Sequence, residues 1–139
     1  MSHQTGQQYC DSERNRLEKK GFSDVTPRWF DLAMFNQSWK PLVPGVVGIV
    51  LALYSTDSPQ VIFDAFTGWA KSLLGKNGMG TLVYVYDKPG IDQVDQVLKL
   101  GRGMMGYGQV VPYVYDLSSH QYWGWSPMQN ITHTTHPPV

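Results

Sequence analysis

Hydrophobic and polar positions divide the chain into alternating runs that are typical of an α/β domain. Val46 to Tyr54 is a continuous apolar run rich in β-branched residues, which predicts a strand buried on both faces, as in a parallel sheet. Thr81 to Tyr86 and Gln109 to Tyr115 predict two further strands. Between them, about Gln60 to Leu74 and Ile91 to Leu100 carry apolar residues at helical spacing. This order predicts two β-α-β connections on one sheet.

Further elements are predicted at both ends of this unit. A polar turn after Asp116 leads into Gln121 to Trp125, which we expect to be an antiparallel strand. Near the start of the chain, Asp11 to Lys20 predicts a short polar helix. Pro27 to Phe35 predicts a second helix, because Thr26 suits an N-cap and proline suits the first helical position.

Length and composition indicate one domain that associates with other proteins. With 139 residues, we expect a polar N-terminal extension over 1–25, one α/β domain over 26–125 and a flexible tail over 126–139. Eleven basic and eleven acidic side chains cancel, so the basic surface of a nucleic-acid binder is missing. Only 16% of residues are charged and 13% are aromatic, which favours association. We therefore expect a protein partner or a homo-oligomer.

Cysteine content and hydropathy indicate the cellular compartment of the protein. The single cysteine, Cys10, cannot form an intrachain disulfide and lies in a polar stretch, where we expect an incidental thiol in preference to an intermolecular disulfide. The longest apolar run is about half the length that a membrane span needs, and no secretory signal is recognisable. These features predict a cytoplasmic protein without a membrane span.

Aspartates follow the three predicted strands and allow two interpretations. If all three strands run parallel, Asp57, Asp87 and Asp116 gather at the sheet edge where open α/β proteins bind ligands. Such a cluster could hold Mg²⁺, as in an enzyme acting on a phosphate-containing small molecule. The plainer interpretation, which we favour, makes them helix caps or turn residues. We therefore expect no metal site.

Pro112 supports a different arrangement of the three predicted strands. Two β-α units are followed by a hairpin whose first strand starts near this proline, and at this point the chain resembles the thioredoxin superfamily over about Val46 to Trp125. Tyr107 to Tyr115 is similar to the segment that carries the family's cis-proline. Asp57-Ser58-Pro59-Gln60 falls where the family has its Cys-x-Pro-Cys motif, but only the proline matches. Dithiol exchange is therefore excluded.

The resemblance implies a thioredoxin-like βαβαββ mixed sheet with N-terminal helices. It also implies a groove that grips an extended peptide, with a cis bond between Val111 and Pro112. The residues expected to form this groove are Asp57, Ser58, Pro59, Gln60, Val111 and Pro112. In this arrangement the Pro112 strand runs antiparallel to the first two, so the three aspartates cannot meet.

Aromatic residues supply the remaining candidate surface. Trp123 and Trp125 point to the same face of their predicted strand; they belong to the core if a helix covers that face and anchor a partner if it is exposed. Trp29 and Phe30, on the second predicted helix, are further interface candidates. We expect a non-catalytic, redox-inactive scaffold or binding subunit with no cofactor. The alternatives are the Mg²⁺-dependent enzyme and, third, sugar binding by the C-terminal aromatics.

Overall fold

The chain folds as an α/β protein around a mixed sheet. A computed structural model describes residues 4–40, 43–100, 110–125 and 131–134. The helices in this part are α1 (Gly6–Glu18), α2 (Pro59–Leu74) and α3 (Ile91–Leu98). The strands are β1 (Ser23–Asp24), β2 (Leu32–Lys40), β3 (Val43–Val50), β4 (Met79–Tyr86), β5 (Val110–Asp116), β6 (Gln121–Trp125) and β7 (Ile131–Thr134). The sheet order is β1-β2-β3-β4-β5-β6-β7.

Three parallel strands form the centre of the sheet. β3 pairs with β4 and β4 pairs with β5 in parallel register, so that Val50, Tyr84 and Val114 lie side by side. The outer pairings, β1 with β2, β2 with β3, β5 with β6 and β6 with β7, are antiparallel. The two β-α-β units expected from the sequence are therefore present.

Both faces of the central strands are buried, in two separate cores. Val46 and Val50 on β3 point into a core beneath α2 and α3, whereas Val47 and Ile49 point into a core on the opposite face beneath α1. This alternation follows from the two-residue period of a strand. A strand with helices on both sides must be apolar at nearly every position, which explains the unbroken run in the sequence.

The N-terminal helix differs from the predicted polar extension. It begins earlier than expected, because the side chains of Thr5 and Gln8 form a capping box at its start. The earlier start adds Tyr9 and Cys10 to the apolar face, and with Leu17 they are buried against the sheet. Residues expected to lie outside the α/β domain are thus part of its core.

The predicted helix over Pro27 to Phe35 is wrong. The backbone makes a turn and then continues as strand β2, in which Leu32 and Ala33 face opposite cores. The Thr26 hydroxyl, expected to cap a helix, accepts a hydrogen bond from the Ala33 N–H at 2.9 Å instead. Tertiary burial on two faces overrides the local helix signal, because β2 completes the hydrogen bonding of β3.

The strand that contains Pro112 runs in the opposite direction to the one the resemblance implies. β5 is parallel to β4, with Asp116 opposite Tyr86. No cis peptide bond occurs in the described residues, so the Val111–Pro112 bond is trans and not cis as expected. Pairing with β6 begins at Val114, so at Pro112 the strand has a paired neighbour on one side only, where a missing N–H is tolerated.

Part of the expected flexible tail is a strand. Ile131–Thr134 forms β7, which pairs with β6 and sets His133 opposite Trp123. Residues 126–130 and 135–139, including His136, lie outside the described residues. Within the described residues, no helix is both long enough and apolar enough to cross a membrane.

Two glycines provide a matched test of how closely α2 packs on the sheet. A Cβ added at Gly48 of β3 would lie 2.3 Å from the Phe66 ring, whereas one added at Gly68 of α2 would meet nothing within 4 Å. We expect Gly48→Ala to lower the free energy of unfolding by about 1–3 kcal/mol. Gly68→Ala should raise it by about 0.5–1 kcal/mol, through helix propensity. Urea denaturation measures both; equal effects would contradict this packing.

Candidate functional site

The parallel direction of β3, β4 and β5 brings their carboxyl ends to one edge of the sheet. In open α/β sheets, ligands bind in crevices outside this edge. A cleft of about 250 Å³ lies there, between the turn before β2, the end of β3 and the start of α2. We call it the carboxyl-edge cleft. Its lining residues are Trp29, Phe30, Asp31, Val50, Leu51, Tyr54, Ser55, Asp57, Val61, Ile62 and Ala65.

Hydrogen bonds between backbone and side chains fix the cleft walls. The Leu51 N–H donates to Asp31 Oδ2 at 2.8 Å, which ties the turn before β2 to the end of β3. The Ser58 hydroxyl accepts from the Val61 N–H and caps α2. The hydroxyl of Tyr84, buried in β4, donates to the Pro59 carbonyl at 2.8 Å. The sheet therefore sets the position of the first turn of α2.

Trp29 is exposed but held in place by other aromatic rings. Its side chain is 54% exposed, yet its ring meets that of Trp69 edge to face, with centroids 6.3 Å apart and planes at 90°. It also lies against Phe30, whose ring packs on the buried Phe66 at 5.0 Å. Because α2 supplies Phe66 and Trp69, Trp29 presents a pre-positioned aromatic surface to the cleft.

Exposed apolar side chains form the remaining rim. Tyr54 is the last residue of the short 3₁₀ turn Ala52–Tyr54 and is 71% exposed, and Val61 in the first turn of α2 is 54% exposed. Asp57 lies between them in the chain and its side chain is also exposed. The cleft thus combines aromatic and aliphatic walls with the two carboxylates of Asp31 and Asp57.

The predicted groove residues are not all brought together. Asp57 lines the cleft, and Ser58 and Pro59 begin the neighbouring helix. Gln60 lies on the other side of that helix start, in a shallow depression beside α3, and its amide donates to Asp64. Val111 and Pro112 lie near the amino end of β5, two strands away and towards the opposite sheet edge. The expected peptide groove is therefore not formed.

Two of the four residues predicted to form an aromatic interface lie in the cleft. Trp29 and Phe30 line it, although they belong to a turn and not to a helix. Trp123 is half-buried and packs against the core beneath α2 and α3, as expected for a helix-covered face. The backbone of Trp125 pairs with Ile131, but its side chain lies outside the described part of the structure.

The three strand-end aspartates share a sheet edge but do not form a metal site. Asp116 is engaged in its own turn, where it accepts from the Ser118 N–H, the Ser118 and Ser119 hydroxyls and the Lys88 N–H. Although partial burial raises the pKa of its carboxyl, these hydrogen bonds outweigh it and lower the pKa below its ordinary value. The turn interpretation of Asp116 is confirmed. Among the described residues, no three acidic, His or Cys side chains could together hold a metal ion.

A second cavity, also of about 250 Å³, lies beneath α1 on the opposite face. Its tyrosines bond to each other and to their neighbours: the Tyr9 and Tyr122 hydroxyls share a hydrogen bond, and Tyr115 donates to Gln4 Oε1 at 2.8 Å. The rings of Tyr9 and Tyr115 stack with centroids 4.1 Å apart. Burial raises the pKa of all three hydroxyls. This network holds α1 on the sheet, and its hydroxyls are already satisfied.

Asp31, Tyr54 and Val61 line the cleft but were not among the site residues predicted from the sequence. Asp31 fell inside the wrongly predicted helix, and Tyr54 was placed in the strand that ends four residues earlier, at Val50. Val61 follows Pro59-Gln60 and is off the apolar stripe of α2, which is the one signal that could have marked it as exposed.

Comparison of the chain with models of protein families, with curated proteins and with solved structures gives no match.

Burial of Cys10 predicts an unreactive thiol. Its side chain is 2% exposed, and burial raises the pKa of the thiol to about 12, so at pH 8 the thiolate that reacts with disulfides is scarce. We expect Ellman's reagent to label native protein at least 100-fold more slowly than protein in guanidinium chloride. A Cys10→Ala/Asn15→Cys variant, with an exposed thiol on the same helix, should react rapidly in both. Equal native rates for the two proteins would contradict the buried position.

Proposed function

We propose that the protein is a non-catalytic binding subunit of a protein assembly and that the carboxyl-edge cleft is its partner-binding site. The distribution of exposed apolar side chains carries this proposal. Six large hydrophobic side chains are exposed in the described residues, and three of them, Trp29, Tyr54 and Val61, line this one cleft. Clustered exposed apolar residues mark interaction sites, and buried aromatic anchors supply most of the binding energy of an interface.

The size of the cleft favours a side chain or short segment of a protein over a free small molecule. Small-molecule pockets typically enclose about 300–1,000 Å³ and bury most of their ligand. The carboxyl-edge cleft has about 250 Å³, and its rim residues Trp29 and Tyr54 are more than half exposed. A partner that covers the rim would bury these rings while one of its side chains fills the cleft.

The chemistry of the lining residues supports binding without catalysis. A nucleophile needs an adjacent base, and the lining contains no His, Cys or Lys. The one hydroxyl group other than that of Tyr54 belongs to Ser55, and its oxygen accepts from the Asp57 N–H at 3.1 Å. The only candidate bases in the lining are the carboxylates of Asp31 and Asp57, and among the described residues neither makes a hydrogen bond to the Ser55 hydroxyl. Ser55 therefore shapes the loop before α2 and is not paired with a base.

The proposed role is redox-inactive, as the sequence resemblance to the thioredoxin superfamily also implies. Asp57 and Gln60 stand where that family has its two cysteines, so thiol exchange has no nucleophile. The proposed partner site nevertheless differs from the groove that the resemblance implies, since Trp29 and Tyr54 form its wall in place of Val111. Partner binding is proposed from the residues of the cleft and does not depend on that resemblance.

Truncation of the cleft aromatics should weaken partner binding. Tyr54→Ala and Trp29→Ala each remove an exposed ring, and truncation of an interface anchor costs about 2 kcal/mol, or roughly 30-fold in affinity. Affinity capture from extract of the source cells, quantified by mass spectrometry, would give the partner; analytical ultracentrifugation would detect self-association. We expect the captured partner, or the oligomer, to be lost in both variants.

Met79→Ala is the matched control, because Met79 is also exposed but lies at the amino end of β4. It should retain full binding, and all variants should keep a cooperative unfolding transition. Equal capture by wild type, Tyr54→Ala and Trp29→Ala would sink the proposal. So would a wild-type protein that is monomeric and captures nothing.

A further inference from the structure

The carboxyl-edge cleft carries charge of one sign only. Its charged lining residues are Asp31 and Asp57, and no Lys or Arg lines it. Arg28 is next to Trp29 in the chain but is not one of the lining residues. Acidic groups on an otherwise apolar surface fix the sign of the charge on a complementary partner. The group that fits this cleft is therefore cationic.

Both carboxylates have oxygens available for a ligand. Asp31 uses Oδ2 to accept from the Leu51 N–H, which also fixes its orientation. The Asp57 carboxylate makes no hydrogen bond or ion pair in the described residues, and the Asp57 backbone is held by the Ser55 hydroxyl. One carboxylate is thus oriented in advance and the other is free to close on a bound cation.

Aromatic faces complete the recognition of a cation. Trp29 and Tyr54 both line the cleft, and tryptophan and tyrosine attract cations over their ring faces within about 6 Å of the centroid. Because Trp69 meets Trp29 edge to face, little side-chain freedom remains to be lost when a partner binds. The cleft therefore offers a fixed aromatic ring and oriented carboxylate oxygen at one place.

We infer that the carboxyl-edge cleft binds an arginine side chain presented by the partner protein. A guanidinium group is planar and stacks on aromatic rings, and its fork of N–H donors matches a carboxylate in bidentate geometry. A lysine ammonium is a compact and strongly hydrated point charge. It therefore lacks the planar surface that stacks on the Trp29 ring and the fork of donors that binds a carboxylate in bidentate geometry. This inference rests on the proposed partner-binding function of the cleft and specifies its ligand chemistry.

Small arginine analogues test the inference directly. We would titrate the full chain with N-acetyl-argininamide, N-acetyl-citrullinamide and N-acetyl-lysinamide and follow ¹H–¹⁵N spectra. We expect the arginine probe to shift the amide signals of Leu51, Tyr54 and Asp57 and the Trp29 indole signal in a saturable way. The citrulline probe, which is nearly isosteric but neutral, should bind at least tenfold more weakly, and the lysine probe several-fold more weakly. Salt should weaken arginine binding.

A variant that lacks the two cleft carboxylates tests their role in arginine binding, and a second variant with the same change in net charge serves as its control. Asp31→Asn/Asp57→Asn keeps the side-chain shape and an acceptor for the Leu51 N–H, and should weaken arginine binding at least tenfold. Asp11→Asn/Asp92→Asn makes the same change in net charge at exposed positions outside the cleft and should leave binding unchanged. Equal binding of citrulline and arginine probes, equal binding of lysine and arginine probes, or no effect of the cleft substitutions would overturn the inference.

The partner-capture experiment distinguishes a failure of arginine recognition from a failure of the proposed partner-binding function. If Tyr54→Ala abolishes capture and Asp31→Asn/Asp57→Asn reduces it at least tenfold, both are supported. If Tyr54→Ala abolishes capture but the Asp31→Asn/Asp57→Asn variant binds normally, the cleft is the partner site and arginine recognition is wrong. If neither variant changes capture, the proposed function itself fails.

Discussion

The structure depends on the need to bury three parallel strands on both faces. β3, β4 and β5 are apolar at nearly every position, so each face of the sheet requires its own cover. α2 and α3 cover one face, and α1 covers the other through Tyr9, Cys10 and Leu17. Because parallel strands need long crossovers, the same constraint puts the strand ends and helix starts at one edge, where the cleft forms.

Much of the central unit could be predicted because its local signals agree with its tertiary environment. The run from Val46 predicted a buried strand, and Ser58 and Pro59 marked the start of α2. The turn role of Asp116 followed from ordinary Asx chemistry and is confirmed by its bonds to Ser118. At these positions capping, periodicity and burial all favour the same structure, which is the usual condition for a sequence to specify its fold.

The parts that could not be predicted are those where distant contacts decide the outcome. Thr26 and Pro27 form a good helix start, but the edge of β3 needs a hydrogen-bonding partner, and Leu32 to Lys40 supplies it as β2. Whether the Pro112 strand runs parallel or antiparallel to β4 is decided by tertiary pairing, which no local pattern encodes. Three predicted site residues, Trp29, Phe30 and Asp57, do line the cleft. Their assembly into one site was not predicted, because Asp31 joins them only through the turn that replaces the expected helix.

The parallel register of β4 and β5 is the central claim, because it decides which residues share the carboxyl edge. Nuclear Overhauser contacts between backbone protons across the two strands test it most directly. The structure predicts contacts that advance in the same direction on both strands: Leu82 with Pro112, Tyr84 with Val114 and Tyr86 with Asp116. Contacts running in opposite directions, such as Tyr86 with Val110, or pairing of Val114 with β3, would contradict the account.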